Sequence, residues 1–292
     1  LGGVQLLFLG STDHRVVRRC PRMETLALTI AATALYLTSG IMLSMRLSRG
    51  FAGVESGKDK ILALGFGAVA VHSLLLYQGI FTTRGLSLGF FNAASLMTWL
   101  VALLLILTAY RKPVESLGIV LLPIAALAIV LEALYPSRDI IVQPGSWALS
   151  AHILISILAY SLLSLAAVQA ALLAVQERHL RNKHPGGFIR ALPPLQSMEA
   201  LLFNMIGVGF VFLSAALITG FAYLEDMFAQ HLAHKTLLSI VAWGVFAILL
   251  WGRWRFGWRG RTAIRWTLGG FFALMLAYFG SKAVLELVLE RK

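Results

Sequence analysis

The chain has 292 residues, 59% of them hydrophobic and 13% charged, with a formal net charge of +12. Soluble domains carry about 25% charged residues, so this chain cannot dress a water-facing surface, and disordered, collagen-like and ordinary globular readings are excluded. The composition is that of an integral membrane protein, and the expected fold is all-α and polytopic, with about eight transmembrane helices.

Residues 1–22 begin with Leu1, carry Arg15, Arg18, Arg19 and Arg22, and lack the apolar core of a signal peptide. They are expected to be an extension of the gene, with Met23 the true start and residues 23–292 a single transmembrane domain. The alternative is a cytoplasmic tail, which would leave seven spans. A helix needs about 20 apolar residues to cross a bilayer. Stretches at 25–45, 60–81, 88–110, 116–135, 147–176, 202–224, 236–252 and 264–289 meet that requirement. The fifth is long enough to tilt or to project from the bilayer. The seventh is short but is bounded by Lys235 and by Arg253 and Arg255.

The basic residues are distributed unevenly between the two sides. The connections after spans one, three, five and seven hold four, two, four and five Lys or Arg; those after spans two, four and six hold only Arg84, Arg138 and Lys235. Cytoplasmic loops carry the excess of Lys and Arg, so the odd-numbered connections are expected inside and both termini outside. The charge thus reports orientation, and no nucleic-acid partner is expected. The single cysteine, Cys20, excludes a disulfide within the chain and CxxC or CxxCH chemistry.

Polar groups inside spans are costly and therefore mark candidate sites. His72 falls in span two, about 13 Å from its outer end, and His152 in span five, about 8 Å deep, at about 1.5 Å per residue. Ser156, Tyr160 and Ser164 follow His152 at four-residue steps and share its helix face. Span three carries the row Asn92, Ser95 and Trp99, span six Asn204, Gly207 and Ser214, and span seven Lys235, Ser239 and Trp243. Each also has a plainer reading. Serines bond back to their own helix, asparagines join neighbouring helices, and a membrane histidine can be a hydrogen-bonded packing residue.

Other candidates carry less. His231 and His234 sit three apart beside Lys235 without a third metal ligand nearby. The run from Trp254 to Arg261 interleaves aromatics with arginines and reads as an interfacial anchor. Glu132 and Glu286 lie near outer span ends, and no paired catalytic carboxylates, phosphate loop or HExxH appear.

The string Ser146-Trp147-Ala148-Leu149-Ser150-Ala151-His152, continued by Ala159-Tyr160, resembles the histidine-bearing helix start of the cytochrome c assembly transmembrane family. That family includes the CcsA, CcmC and HemX types. His72-Ser73-Leu74-Leu75-Leu76 followed by Leu88-Gly89-Phe90-Phe91-Asn92-Ala93-Ala94-Ser95 resembles its earlier membrane histidine and the next span. The tract from Lys235 to Trp243, then Gly257-Trp258-Arg259-Gly260-Arg261, is similar to a later helix and basic loop, and Ala277-Tyr278-Phe279-Gly280-Ser281 to the last span. The chain departs from the pattern before Lys235, where Gln230-His231-Leu232-Ala233-His234 replaces a Trp-rich motif, and it lacks the second histidine of each family pair.

The resemblance implies haem as the cofactor, with His72 and His152 as candidate ligands and Arg84, Arg138 and Lys235 as candidate partners of its propionates. The expected function is non-catalytic haem binding or handling in support of cytochrome c biogenesis, in the bacterial inner membrane. The alternatives are a membrane partner or regulator of another protein, and a transporter or ion-flux accessory lined by the polar rows.

Overall fold

The computed structural model describes residues 23–48, 55–82, 85–87, 89–135, 141–142, 147–182, 192–223 and 230–280. The molecule is built from α1 (Met23–Ser48), α2 (Glu55–Ile80), α3 (Phe90–Ala109), α4 (Glu115–Leu134), α5 (Trp147–Arg181), α6 (Leu195–Tyr223), α7 (Gln230–Phe256) and α8 (Gly260–Met275). A π-helical turn, Leu276–Gly280, continues α8. Among the described residues these are eight helices long and apolar enough to cross a membrane. Each expected span falls on one of them. Several helices outrun the apolar stretch that announced them: α6 begins at Leu195 and α7 at Gln230. Hydropathy marks only the part immersed in hydrocarbon, whereas backbone hydrogen bonding carries a helix on into the interface. The 35 residues of α5 span about 52 Å at about 1.5 Å per residue, well beyond the hydrocarbon thickness of about 30 Å.

The helices form two four-helix halves. In the first, α1–α4 enclose a core containing Tyr36, Ala68, Ile106 and Leu122. In the second, α5–α8 enclose Leu163, Leu173, Ile206 and Phe246. α5 joins them, since its Leu165 packs into the first core. The most extensive helix pairing is α5 with α6.

The two ends of the bundle differ. At one, Glu115 at the start of α4 pairs with Lys58 of α2 at 2.9 Å and faces Arg46 of α1 at 3.6 Å. At the same end of the second half, Arg253 of α7 meets Glu199 of α6 at 3.4 Å, and Arg261 of α8 meets Glu177 of α5 at 3.1 Å. This is the basic end. At the other, the connections after α2 and α4 contribute three short strands, β1 (Phe81–Thr82), β2 (Gly85–Ser87) and β3 (Ile141–Val142). They pair antiparallel in the order β1-β2-β3, with Phe81 opposite Leu86 and Leu86 opposite Val142. Residues 1–22, Arg84, Arg138, Glu225, Asp226 and residues 281–292 lie outside the described residues.

The α5–α6 seam depends on a glycine. A Cβ at Gly209 would stand 2.8 Å from Leu163 Cδ2 and 2.9 Å from its Cγ, and Leu163 is fully buried. The nearby Gly207 has open space where its Cβ would be. Overpacking a core costs about 1–3 kcal/mol. Gly209→Val is therefore expected to lower thermal stability in detergent by about that amount, while Gly207→Ala leaves the unfolding midpoint nearly unchanged.

Candidate functional site

His72 lies nearly five turns into α2 and is fully buried, as are Tyr36 of α1 and Ser95 of α3. Its Nδ1 lies 3.2 Å from the Tyr36 hydroxyl and its Nε2 2.9 Å from Ser95 Oγ. The Tyr36 and His72 rings meet edge to face, with centroids 5.8 Å apart. Ser95 in turn faces the carboxyl of Glu132 on α4. Gly79 makes room for that carboxyl, since a Cβ there would stand 2.8 Å from Glu132 Oε1. Tyr36, His72 and Ser95 form a chain of hydrogen bonds with Glu132 facing its Ser95 end, so each helix of the first half contributes one side chain.

The chain can be satisfied in either sense. With a carboxylate at Glu132, Ser95 donates to it, His72 Nε2–H donates to Ser95, and the Tyr36 O–H donates to Nδ1. With a protonated Glu132 every donor reverses and the other imidazole tautomer is used. Such a chain can shift a proton along its length without moving an atom far. Both ring nitrogens of His72 are engaged in it, so a metal at His72 would have to break one of these bonds.

His152 is differently placed. It stands in the second turn of α5, half-buried, with Nδ1 3.0 Å from Thr219 Oγ1 on α6. The Thr219 hydroxyl donates to its own helix, at 2.8 Å from the Ala215 carbonyl and 3.0 Å from that of Ala216. With its proton held there, Thr219 Oγ1 can accept from His152 Nδ1–H, and the Ala216 carbonyl also lies within reach of the ring. In that tautomer of the neutral ring the lone pair is on Nε2. The next residue, Ile153, packs on Leu76 and Ile80 of α2. His152 therefore belongs to the same end of the bundle as His72, roughly one to two turns closer to the sheet. The two histidines share no hydrogen-bond partner.

The polar rows mostly hold helices together. Asn92 Nδ2 donates to the Ser87 carbonyl at 3.1 Å and reaches the Gly79 carbonyl at 3.4 Å, tying α3 to β2 and α2. Trp99 donates to the Val69 carbonyl and to Ser73 of α2. Trp243 of α7 donates to Ser214 of α6 at 2.9 Å and stacks on Phe210. Ser164 bonds back to the Tyr160 carbonyl. Tyr160 is buried among Phe271, Tyr278 and Phe279 of the last helix. Ser156, Ser239 and Lys235 are half-buried. Lys235 stands near the start of α7, at the same end of the bundle as His152 and Thr219. The helical positions of His231 and His234 lie on the first turns of α7, and their side chains are outside the described ones. No cluster of three metal-ligating side chains occurs among the described residues.

The sequence profile of the cytochrome C assembly proteins matches residues 63–289. The chain belongs to that family. The inner membrane protein YpjD of Escherichia coli K12 is 33% identical over 232 residues, covering 78% of this chain and 85% of its own length. Protein HemX of Brevibacillus brevis is 27% identical over 44% of this chain and 48% of its own. Cytochrome c biogenesis protein CcsA of Chlamydomonas reinhardtii is 25% identical over 49% of this chain and 39% of its own. No solved structure matches. With eight apolar spans and such relatives, this family member is a multi-pass protein of the inner membrane. The family match takes in His72, Ser95, Glu132 and His152 but begins after Tyr36.

Sequence reasoning passed over two members of the buried chain. Tyr36 is a lone aromatic on an apolar span, and Glu132 reads as a boundary charge. Glu132 does lie near the end of α4, but it turns inward to Ser95. Its spacing from Ser95 carries no signal, because the two stand on separate helices. His72→Leu would strand the buried hydroxyl of Tyr36 and remove a partner of Ser95. Thermal unfolding in detergent is expected to show a loss of about 1–3 kcal/mol, the cost of a buried group left unpaired.

Proposed function

We propose that this cytochrome c assembly family member binds haem at the sheet end of its bundle through His152, and handles it in support of cytochrome assembly without catalysing a reaction itself. One observation carries the reading: His152 Nδ1 lies 3.0 Å from Thr219 Oγ1, an acceptor that would turn the Nε2 lone pair to a metal. Histidines that ligate metals donate their other ring N–H to a fixed acceptor, which sets tautomer and orientation. Haem iron accepts an imidazole nitrogen as axial ligand. Thr219 orients the ring. Lys235 would supply a cation suited to a propionate, and by sequence Arg84 and Arg138 fall in the connections after α2 and α4. His72 serves in this reading as a packing and positioning residue. The excess of basic residues at the opposite end favours an orientation with the sheet end and both termini outside.

The spectrum of the purified full chain tests this. Wild type loaded with haem is expected to show a Soret band that His152→Ala abolishes. Thr219→Val, which removes only the acceptor, is expected to weaken haem affinity about 10–100-fold. His72→Leu is expected to keep the band while losing stability. A band insensitive to His152 would overturn the assignment.

The buried Tyr36–His72–Ser95–Glu132 chain favours a second reading, in which the first half passes protons and supports ion flux. Proteoliposomes holding the protein would then acidify under an imposed pH gradient, and Glu132→Gln would slow that at least tenfold. Equal rates for variant and wild type would remove this alternative.

A further inference from the structure

The basic end holds a cavity of about 450 Å³ between the last turns of α5 and the first turn of α8. Arg178 and Arg181 enter it from α5, and Arg261 and Arg265 from α8, with Glu177 the one carboxylate among its described lining residues. Helical spacing explains the convergence: 178 and 181 share one face of α5, and 261 and 265 share one face of α8. Ala174 and Ile264 form an apolar floor on the membrane side. Arg261 uses Glu177 at 3.1 Å. Arg178, Arg181 and Arg265 have no ion-pair partner among the described residues.

The surrounding sequence does not neutralise them. No acidic residue lies between Glu177 and Glu199, or between Arg253 and Arg265. Glu199 is taken by Arg253 at 3.4 Å and by the Gly260 backbone N–H at 3.3 Å. Arginines at the C-terminus of α5 complement its helix dipole, which accounts for Arg178 and Arg181 on their own. The same rule runs against α8. Its first turn has no acidic residue, Arg259 gives no side-chain cap, and Arg261 and Arg265 add positive charge to the positive end of the dipole. Cations gathered at a helix N-terminus around an open cavity repel one another and the dipole, which a bound anion relieves.

We propose that this cavity binds the phosphate of an anionic phospholipid, with its glycerol and first acyl carbons against Ala174 and Ile264. Phosphate matches the bidentate fork of several guanidiniums at once, and the cavity opens at the level where spans leave the hydrocarbon. Basic pockets between transmembrane helices take anionic headgroups in this way. A free phosphate would use the same arginines but not the apolar floor. The proposal does not depend on haem binding at the other end.

Native mass spectrometry of the delipidated full chain, titrated with phosphatidylglycerol or phosphatidylcholine, tests it. Wild type is expected to retain phosphatidylglycerol on the order of tenfold more tightly. The double variant Arg181→Gln/Arg265→Gln is expected to lose that preference. The control Arg111→Gln/Lys112→Gln removes two exposed charges from the α3–α4 turn and is expected to keep it. Loss in both doubles would reduce the effect to general surface charge and overturn the site. Displacement of the lipid by equimolar inorganic phosphate would likewise overturn it, assigning the arginines to a soluble anion. Absence of any preference in wild type would overturn it outright.

Discussion

Inside hydrocarbon a polar group has no water to turn to, and each one left unpaired costs several kcal/mol. The arrangement of this bundle follows from that constraint. Ser39 of α1 reaches the Ile61 carbonyl of α2 at 3.2 Å, and Gln169 of α5 donates to the Met198 carbonyl of α6 at 3.0 Å. Gln176 donates to the Pro193 carbonyl at 2.9 Å, and Trp99 and Trp243 cross from α3 to α2 and from α7 to α6. Between apolar helices packing alone specifies rotation and height weakly, because one leucine face resembles another. A donor that must find one carbonyl specifies both. The chain from Tyr36 to Glu132 does this for four helices together.

The two histidines show how neighbours give the same side chain different chemistry. His72 is saturated: both nitrogens meet protein partners within a fully buried core. His152 is half-buried, with Nδ1 against Thr219. Thr219 bonds back to its own helix, which is ordinarily neutral or slightly unfavourable, and so offers the ring an acceptor.

Charge is handled in opposite ways at the two halves of the basic end. In the first half Glu115 is nearly buried and serves Lys58 and Arg46 together, closing the connections over the core. In the second half Glu177 and Glu199 stand among more arginines than they can neutralise. The positive-inside bias alone asks only for cations somewhere in these loops. It does not ask for them to converge on one cavity at the wrong end of a helix dipole.

Membrane class, eight spans and the asymmetry of charge were legible in the sequence, because hydrocarbon thickness and the cost of buried charge act on every residue locally. The quoted histidine-bearing strings also carried the family. Helix ends were less legible: α6 and α7 extend past their apolar stretches because interfacial turns no longer need to be apolar. The strands β1–β3 could not be read from segments of two or three residues, and β3 meets β2 only across α3 and α4. Tyr160 is buried against the last helix and Ser164 bonds back to its own, and the different surroundings of His72 and His152 were invisible. They rest on Tyr36, Ser95, Glu132 and Thr219, which stand on other helices. Apolarity along a chain determines that it crosses the membrane, and how often. Which polar groups then meet is decided only when helices pack, since hydrogen bonds act over about 3 Å and relate residues that no spacing in the sequence connects.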